Sequence, residues 1–459
     1  MASERVPRWK RRAYNIATVR DESRRALPRP VFDFVDGGAG DEHTLRRNVS
    51  AFDDVDLYPR PIGGTRERDL STTLLGRRLS MPLIVPPTGL AGLLWPDGEA
   101  ASARAATRAG SIYCLSHGSV CSLEELAETG IEPLWFQTYI YKDRGLTHEM
   151  AARAAAAGYE ALIVTVDTQL LGNRERDIRN GFVIPPTMSA REVANMATKL
   201  RWLFRMRGTI PKITFGNYRR TDGGEDLTAL AQRMVGLPDP GIQWRDIADL
   251  RAIWKGQLLL KGILHPADAI EAVANGVDGM FVSNHGGRQL DGVAGAVDAL
   301  PAVAEAVAGR AALILDGGIR RGAHIVKALA LGADCCSIGR PQFWGLSAAG
   351  EAGVAHVFDI FRRELDLTMG LCGLPDIASI GSDVLARDST STDTARLTAA
   401  TEAVAAAAVA VAESGSAANN GDGAGAEERV EPVPEVGGPA GPEPTRYGDW
   451  ERKGRAIDF

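Results

Sequence analysis

"AALILDGGIRRGAHIVKALALGADCCSIGR", residues 311–340, joins two short apolar runs through a glycine turn and an intervening stretch that ends on Gly332. The runs at Ala311–Leu315 and Cys335–Ile338 have the length and content of buried strands. "RGAHIVKALALG" between them repeats its apolar residues at helical spacing and stops on glycine. Strand, helix and strand in this order form a unit whose two strands are parallel.

The same unit recurs upstream. Strand-like runs start at Met81 ("MPLIVPP"), Ser111 ("SIYCLS"), Pro133 ("PLWFQTY"), Ala161 ("ALIVTVD"), Gln257 ("QLLLKG") and Asp278 ("DGMFVSN"). Alanine-rich helical segments such as "GEAASARAATRAG", "THEMAARAAAAG" and "HPADAIEAVANG" lie between them. Eight such units predict a (β/α)8 TIM barrel. A doubly wound sheet would use fewer units and a glycine fingerprint after its first strand, which is absent.

The chain has 459 residues, 45% hydrophobic and 24% charged, with a net charge of -6, as soluble globular enzymes have. The balance gives no basic excess for nucleic acid. Cys114, Cys121, Cys335, Cys336 and Cys372 lack metal-ligand spacing, so no metal site is expected and a reducing compartment suits them. No apolar run approaches the ~20 residues that cross a bilayer, and a cytoplasmic location is expected. Residues 1–26, with "RVPRWKRRAYN", read as a solvated basic arm ahead of a barrel domain at 27–386. Its longest connection, at about 188–242, follows the fourth strand on the face where barrel sites sit. Lys199, Arg201, Arg205, Arg207, Lys212, Arg219 and Arg220 alternate there with Leu200, Trp202, Leu203, Phe204 and Met206. Such a segment fits a membrane interface, on the inner face of the cell membrane, and equally a lid over the barrel mouth. Residues 387–436 are low in large apolar residues and read as a linker, and 437–459 as a docking peptide.

The C-terminal ends of the eight strands should carry the site. They offer Pro87, Thr88 and Gly89; Ser116; Gln137 and Tyr139; Thr165 and Asp167; Lys261; Ser283 and His285; Asp316, Gly317 and Gly318; Gly339 and Arg340. The last two ends, "DGGIRRG" and "IGRP", combine backbone N–H groups with arginines, as phosphate sites do. Lys261 closes an apolar strand, so it needs an anionic cofactor, a Schiff base or a structural carboxylate beside it. Asp167 is placed to orient His285 as a general base, and Arg174 and Arg288 to clamp a carboxylate.

Together "SNHGGRQLDG", "TVDT", "FQTYIYKDR", "LLLKGI", "DGGIR" and "IGRP" resemble the FMN-dependent L-2-hydroxy acid dehydrogenases and oxidases, over about Leu27 to Asp376. The long basic insertion and "RERDIRNGF" are most similar to the membrane-associated lactate and mandelate dehydrogenases. The resemblance implies oxidation of an L-2-hydroxy acid, with His285 as base and Asp167 as its partner. Arg288, Arg174 and Tyr139 would hold the substrate, and Lys261 would face the flavin N1 and O2 edge. Pro87, Thr88, Gly89, Ser116, Gln137, Thr165 and Ser283 would surround the ring, with Asp316, Gly317, Gly318, Arg320, Gly339 and Arg340 toward the ribityl phosphate. It also implies a homotetramer and a quinone or other electron acceptor. Two positions depart from the family: Phe34 stands where a substrate-binding tyrosine is usual, and Gly118 where short-chain oxidases carry a large aromatic residue. A bulky side chain on the substrate follows from Gly118. The tail "GGPAGPEPTRYGDWERKGRAIDF" resembles the motif of small factors that assemble the succinate dehydrogenase flavoprotein, implying a respiratory flavoprotein as partner. A rival reading makes the chain an FMN-binding assembly scaffold with lost turnover.

Overall fold

The structure, a computed structural model, describes residues 7–62, 66–181, 189–218, 230, 234, 236–386, 450–451 and 456–457. The chain divides into two compact units, Met1–Arg387 and Asp388–Phe459. In the second, Trp450–Glu451 pairs antiparallel with Ala456–Ile457; the rest of the expected linker and docking peptide lies outside the described residues.

In the first unit eight strands pair in parallel, each beside its neighbour in sequence. They are β1 (Leu83–Ile84), β2 (Tyr113–Ser116), β3 (Leu134–Thr138), β4 (Ala161–Thr165), β5 (Gln257–Ile263), β6 (Gly279–Ser283), β7 (Ala312–Asp316) and β8 (Cys335–Ser337). β8 returns to β1, and a parallel bridge between Val85 and Tyr113 closes the ring. This is the expected (β/α)8 barrel.

The two-residue period of the strands sorts their side chains. Ile84, Cys114, Trp135, Ile163, Leu259, Phe281, Ile314 and Cys335 form one buried cluster inside the barrel. Their neighbours Leu83, Leu115, Phe136, Val164, Leu260, Val282, Leu315 and Cys336 belong to a second cluster shared with the helices. Each large side chain so buried contributes about 1.5–3 kcal/mol. Leu74 and Leu79, from an antiparallel hairpin (Thr72–Leu74 with Arg77–Leu79), join the inner cluster and stopper the barrel at the N-terminal ends of its strands. Two residues beyond the inner apolar layer the same inward parity gives Ser116, Gln137, Thr165, Lys261, Ser283, Asp316 and Ser337. The barrel is therefore dry at one end and polar at the other.

Residues 7–26 differ from the expected solvated arm. The helix Ile16–Ala26 buries Ile16, Val19 and Ser23 against the helix that follows β8, with Ser347 donating to Ser23 at 2.7 Å. Several basic residues of this segment are paired locally: Arg12 and Arg25 with Glu22 and Arg20 with Asp36. The high charge concealed an apolar face at helical spacing.

Candidate active site

A cavity of about 360 Å³ opens at the C-terminal ends of the strands. Its walls include every strand end named above except Asp167 and Ser283, which stand behind His285 and Lys261. The expected site residues are thus brought together.

His285 follows β6 in a left-handed conformation, φ 58°, and Gly286 and Gly287 continue it at 65° and 71°. Three successive positive φ values make a turn that only glycine tolerates freely, and the strained histidine marks a constrained site. Asn284 anchors the turn: it exchanges two 2.8 Å side-chain hydrogen bonds with Asn48, and its Oδ1 accepts from the Gly287 N–H. His285 Nδ1 lies 2.8 Å from Asp167 Oδ1. The pair is buried, and burial lowers the imidazole pKa; Asp167 opposes this, while Lys261 and Arg174 reinforce it, leaving the pKa below its ordinary value. For Asp167 burial acts upward, but His285 and Lys261 outweigh it and keep the carboxyl ionised. A neutral imidazole whose Nδ1–H is given to a carboxylate has its Nε2 lone pair free to take a proton.

Three residues not anticipated from sequence build this pair. Gly262 bulges β5 at φ 109°, and a Cβ there would sit 2.5 Å from Asp167 Cγ. Gln289 donates to the carbonyls of Asp167 at 3.0 Å and Leu170 at 2.9 Å, tying the loops after β4 and β6 together. Thr168 Oγ1 stands 3.1 Å from Asp167 Oδ1. Their signal in sequence is only a glycine inside a strand and two polar residues beside motifs.

Lys261 is 4% exposed and donates to Asp316 at 3.0 Å and Ser283 at 3.1 Å. Burial pulls its pKa down, but Asp316 and Asp167 more than offset this, so the ammonium stays charged. Of the readings open for Lys261, a structural carboxylate is present, and a charged amine is not poised for a Schiff base. Asp316 also accepts from Ser283 at 2.7 Å and Ser337 at 2.6 Å.

Four arginines surround the cavity: Arg174, Arg288, Arg320 and Arg340. Carbonyl oxygens hold all four, Arg174 Nε donating to Arg288 O at 3.4 Å. Arg288 Nη1 donates to Phe34 O at 2.8 Å and Gly37 O at 2.9 Å, and Arg340 donates to Asp36 O at 3.1 Å and Gly37 O at 2.7 Å. These oxygens end the helix Arg29–Asp36, whose last carbonyls lack helical partners and carry the negative end of its dipole. Arg320 donates to Ile319 O at 2.8 Å. Among the described residues no carboxylate lies within salt-bridge distance of any of the four. Burial, with Arg340 next, pushes Arg320 down to about 9, and burial brings Arg340 to about 10. Burial and the charges of Arg174 and Arg340 drive Arg288 well below its ordinary value. Buried cations with no carboxylate in contact call for anionic ligands. Arg288 and Arg340 share the Gly37 carbonyl, and the four guanidinium groups line one cavity together with His285 and the turns at Gly317, Gly318 and Gly339.

Tyr139 lines the cavity beside His117, ring centroids 4.5 Å apart, and burial raises its hydroxyl pKa so that it stays protonated. The Phe34 ring lies 5.3 Å from the Arg288 guanidinium. Gly118 leaves open space: a Cβ there would meet nothing nearer than Ser116 Oγ at 3.8 Å and Phe215 at 3.9 Å. Phe215, Met234 and Pro238 bring the insertion into the cavity wall, which supports its reading as a lid. Its outer face is also apolar, with Leu200 71% and Phe204 68% exposed beside exposed Arg201 and Arg207.

The FMN-dependent dehydrogenase family matches residues 23–387, and residues 413–459 match a protein family of unknown function, DUF1674. The L-lactate dehydrogenase of Caulobacter vibrioides is 41% identical over 368 residues, 80% of this chain and 96% of the relative. The 2-Hydroxyacid oxidase 1 of Homo sapiens is 41% identical over 363 residues, 79% of this chain and 93% of the relative. The crystal structure of the monotopic membrane protein (S)-mandelate dehydrogenase has a TM-score of 0.78 and 36% identity, covering 82% of this chain and 99% of its own. The cavity fits FMN: Thr88 Oγ1 is buried in its wall without a hydrogen-bond partner, Lys261 keeps a positive charge beside it, and Arg320 and Arg340 line it with Gly317, Gly318 and Gly339. With relatives matched along nearly their whole length, the chain belongs to the FMN-dependent dehydrogenase family.

Proposed function

We propose that this cavity oxidises an L-2-hydroxy acid with a bulky side chain to the corresponding 2-oxo acid. The observation that carries the reading is His285 held by Asp167 at 2.8 Å in the same cavity as two arginines that have no carboxylate partner among the described residues. Arg288 and Arg174 bind the substrate carboxylate, Tyr139 hydrogen-bonds the substrate, and His285 Nε2 takes the hydroxyl proton while Asp167 stabilises the imidazolium. Bound FMN supplies the two-electron acceptor for the α-hydrogen. Pro87, Thr88, Gly89, Ser116, Gln137 and Thr165 would hold its ring, and Lys261, fixed by Ser283 and Asp316, would place a positive charge at the ring edge. Gly317, Gly318, Arg320, Gly339 and Arg340 would hold the phosphate. A scaffold without turnover has no use for the His285–Asp167 pair. Anaerobic mixing with a panel of L-2-hydroxy acids tests the reading: the yellow colour bleaches with aromatic or long aliphatic acids faster than with glycolate. Colour that persists with every acid overturns it.

Phe34 lacks the hydroxyl that the family's usual tyrosine offers the substrate. Phe34→Tyr is expected to lower KM about tenfold or more, a hydrogen bond to a charged group contributing about 1.5–3 kcal/mol. Unchanged KM would mean that Phe34 O and its ring act only through Arg288.

The electrons leave to a quinone or other acceptor at a membrane surface, a reading supported by exposed Leu200, Phe204 and Ile210 next to Arg201, Arg207 and Lys212. Phe204→Glu should weaken binding to anionic vesicles by tenfold or more, since burying a phenylalanine is worth about 1.5–3 kcal/mol. Flotation with the vesicles measures it, and unchanged flotation removes the membrane reading. Residues 437–459 are proposed to dock on a respiratory flavoprotein. Truncation after Arg387 should then abolish binding to purified succinate dehydrogenase flavoprotein and leave hydroxy acid turnover intact.

A further inference from the structure

A second histidine lines the cavity, and nothing in the proton transfer above uses it. His117 directly follows Ser116 at the end of β2, and its ring is fixed from two sides. Its Nδ1 lies 2.7 Å from the Tyr218 hydroxyl, and Tyr139 packs edge-on against it. The Tyr218 hydroxyl is bonded in turn to that of Tyr141, to which Thr138 Oγ1 donates at 3.2 Å. The segment bearing Tyr218 is itself locked. Asn217 donates to His117 O at 2.9 Å and accepts from Leu123 N at 2.8 Å, and a Cβ on Gly216 would fall 2.3 Å from the Cys121 carbonyl carbon. The insertion is latched to the barrel here, and the latch sets the orientation of the ring.

Burial, with neighbouring His285 second, holds His117 down to about 3, so its imidazole is neutral. A neutral imidazole carries one donor and one acceptor nitrogen. Nδ1 is engaged by Tyr218. Nε2 has no hydrogen-bond partner among the described residues and is not sealed off, and the ring that carries it lines the cavity. The same cavity is lined by Gly118, Leu171, Phe215, Met234 and Pro238, with Tyr139 against the ring. An oriented polar atom left unpartnered in a cavity wall favours a ligand with a matching group, because a ligand without one leaves it unpaired.

We propose that His117 is a specificity-determining residue whose Nε2 hydrogen-bonds a hydroxyl on the substrate's side chain, so that the preferred substrate is an aromatic 2-hydroxy acid carrying a ring hydroxyl. This rests on the reading of the barrel as a 2-hydroxy acid dehydrogenase. The acid's carboxylate and 2-hydroxyl are already taken by Arg174, Arg288 and His285, which leaves the side chain to meet the wall at Gly118 and His117.

The full-length holoenzyme is mixed anaerobically with (S)-mandelate and with its 2-, 3- and 4-hydroxy derivatives. At least one hydroxylated acid should reduce the flavin about tenfold more efficiently than mandelate, the worth of one neutral hydrogen bond. In His117→Phe that ratio should fall to about one, and in His117→Gln, which keeps a donor and an acceptor, it should be partly restored. Because the ratio is taken within one protein, a change in overall rate or folding does not imitate it. A wild-type enzyme that prefers mandelate to all three derivatives overturns the inference, as does a preference that survives His117→Phe. Absence of flavin reduction by any acid is instead failure of the function reading. The ratio of dissociation constants, read from perturbation of the flavin spectrum, then decides the role of His117 by the same criteria.

Discussion

Replacing His285 by asparagine lowers the rate of anaerobic flavin reduction by about 10,000-fold, the upper range for loss of a positioned general base. Asparagine is the suitable replacement because position 285 has φ 58°, a conformation it adopts more readily than most residues. The turn, with Asn284 bonded to Asn48, then survives, and FMN content serves as the check. A loss of tenfold or less with full FMN content would show that another group takes the proton.

The pH dependence follows from the same pair. His285 acts as a base only when neutral, and its pKa is held below the ordinary imidazole value by burial, against the pull of Asp167 and with the push of Lys261 and Arg174. His117, also facing it, is neutral and stays so. Activity should therefore be flat through neutrality and fall about tenfold per pH unit only below the lowered value. Asp167→Asn removes the charge that raises the pKa, so the acid limb moves to still lower pH. The plateau drops by about 100-fold or more, because the imidazolium formed in the reaction loses its counter-charge. A limb that moves upward in Asp167→Asn would break the assignment. Stopped-flow reduction across pH with both proteins distinguishes these outcomes.

The barrel is legible in sequence because parallel strands buried on both faces are written as short apolar runs, and a glycine after each helix marks the return. All eight runs became strands. The site was legible to the extent that a polar residue ending an apolar run has one place to go: Ser116, Gln137, Thr165, Lys261 and Asp316 each extend an inward row by one step. What remained hidden depends on contacts between segments far apart. Gly262 reads as an ordinary strand glycine until Asp167 is placed against it. His117 gains meaning only from Tyr218, 101 residues away, in an insertion without strand or barrel-helix periodicity. Residues 7–26 misled for the opposite reason, their charge being conspicuous and the burial of Ile16 and Val19 not.

The second large effect belongs to Arg288. Its Nη1 is taken up by Phe34 O and Gly37 O, while Nη2 and Nε have no partner among the described residues, leaving one face of the guanidinium for a ligand carboxylate. Truncating one member of a buried charge pair costs about 2–5 kcal/mol, so Arg288→Met should reduce kcat/KM by about several hundredfold, with most of the change in KM. Arg288→Lys keeps the charge, but a point ammonium does not serve the helix carbonyls and a substrate carboxylate together; it should recover about tenfold of that loss. The informative comparison is between a 2-hydroxy acid and its neutral amide. The wild-type enzyme should discriminate strongly against the amide, and Arg288→Met should nearly erase the discrimination, since the interaction it removes is with the carboxylate alone. If Arg288→Met lowered turnover of acid and amide equally, the guanidinium would be acting on the helix Arg29–Asp36 and the flavin cavity rather than on the substrate, and the carboxylate would have to be held by Arg174.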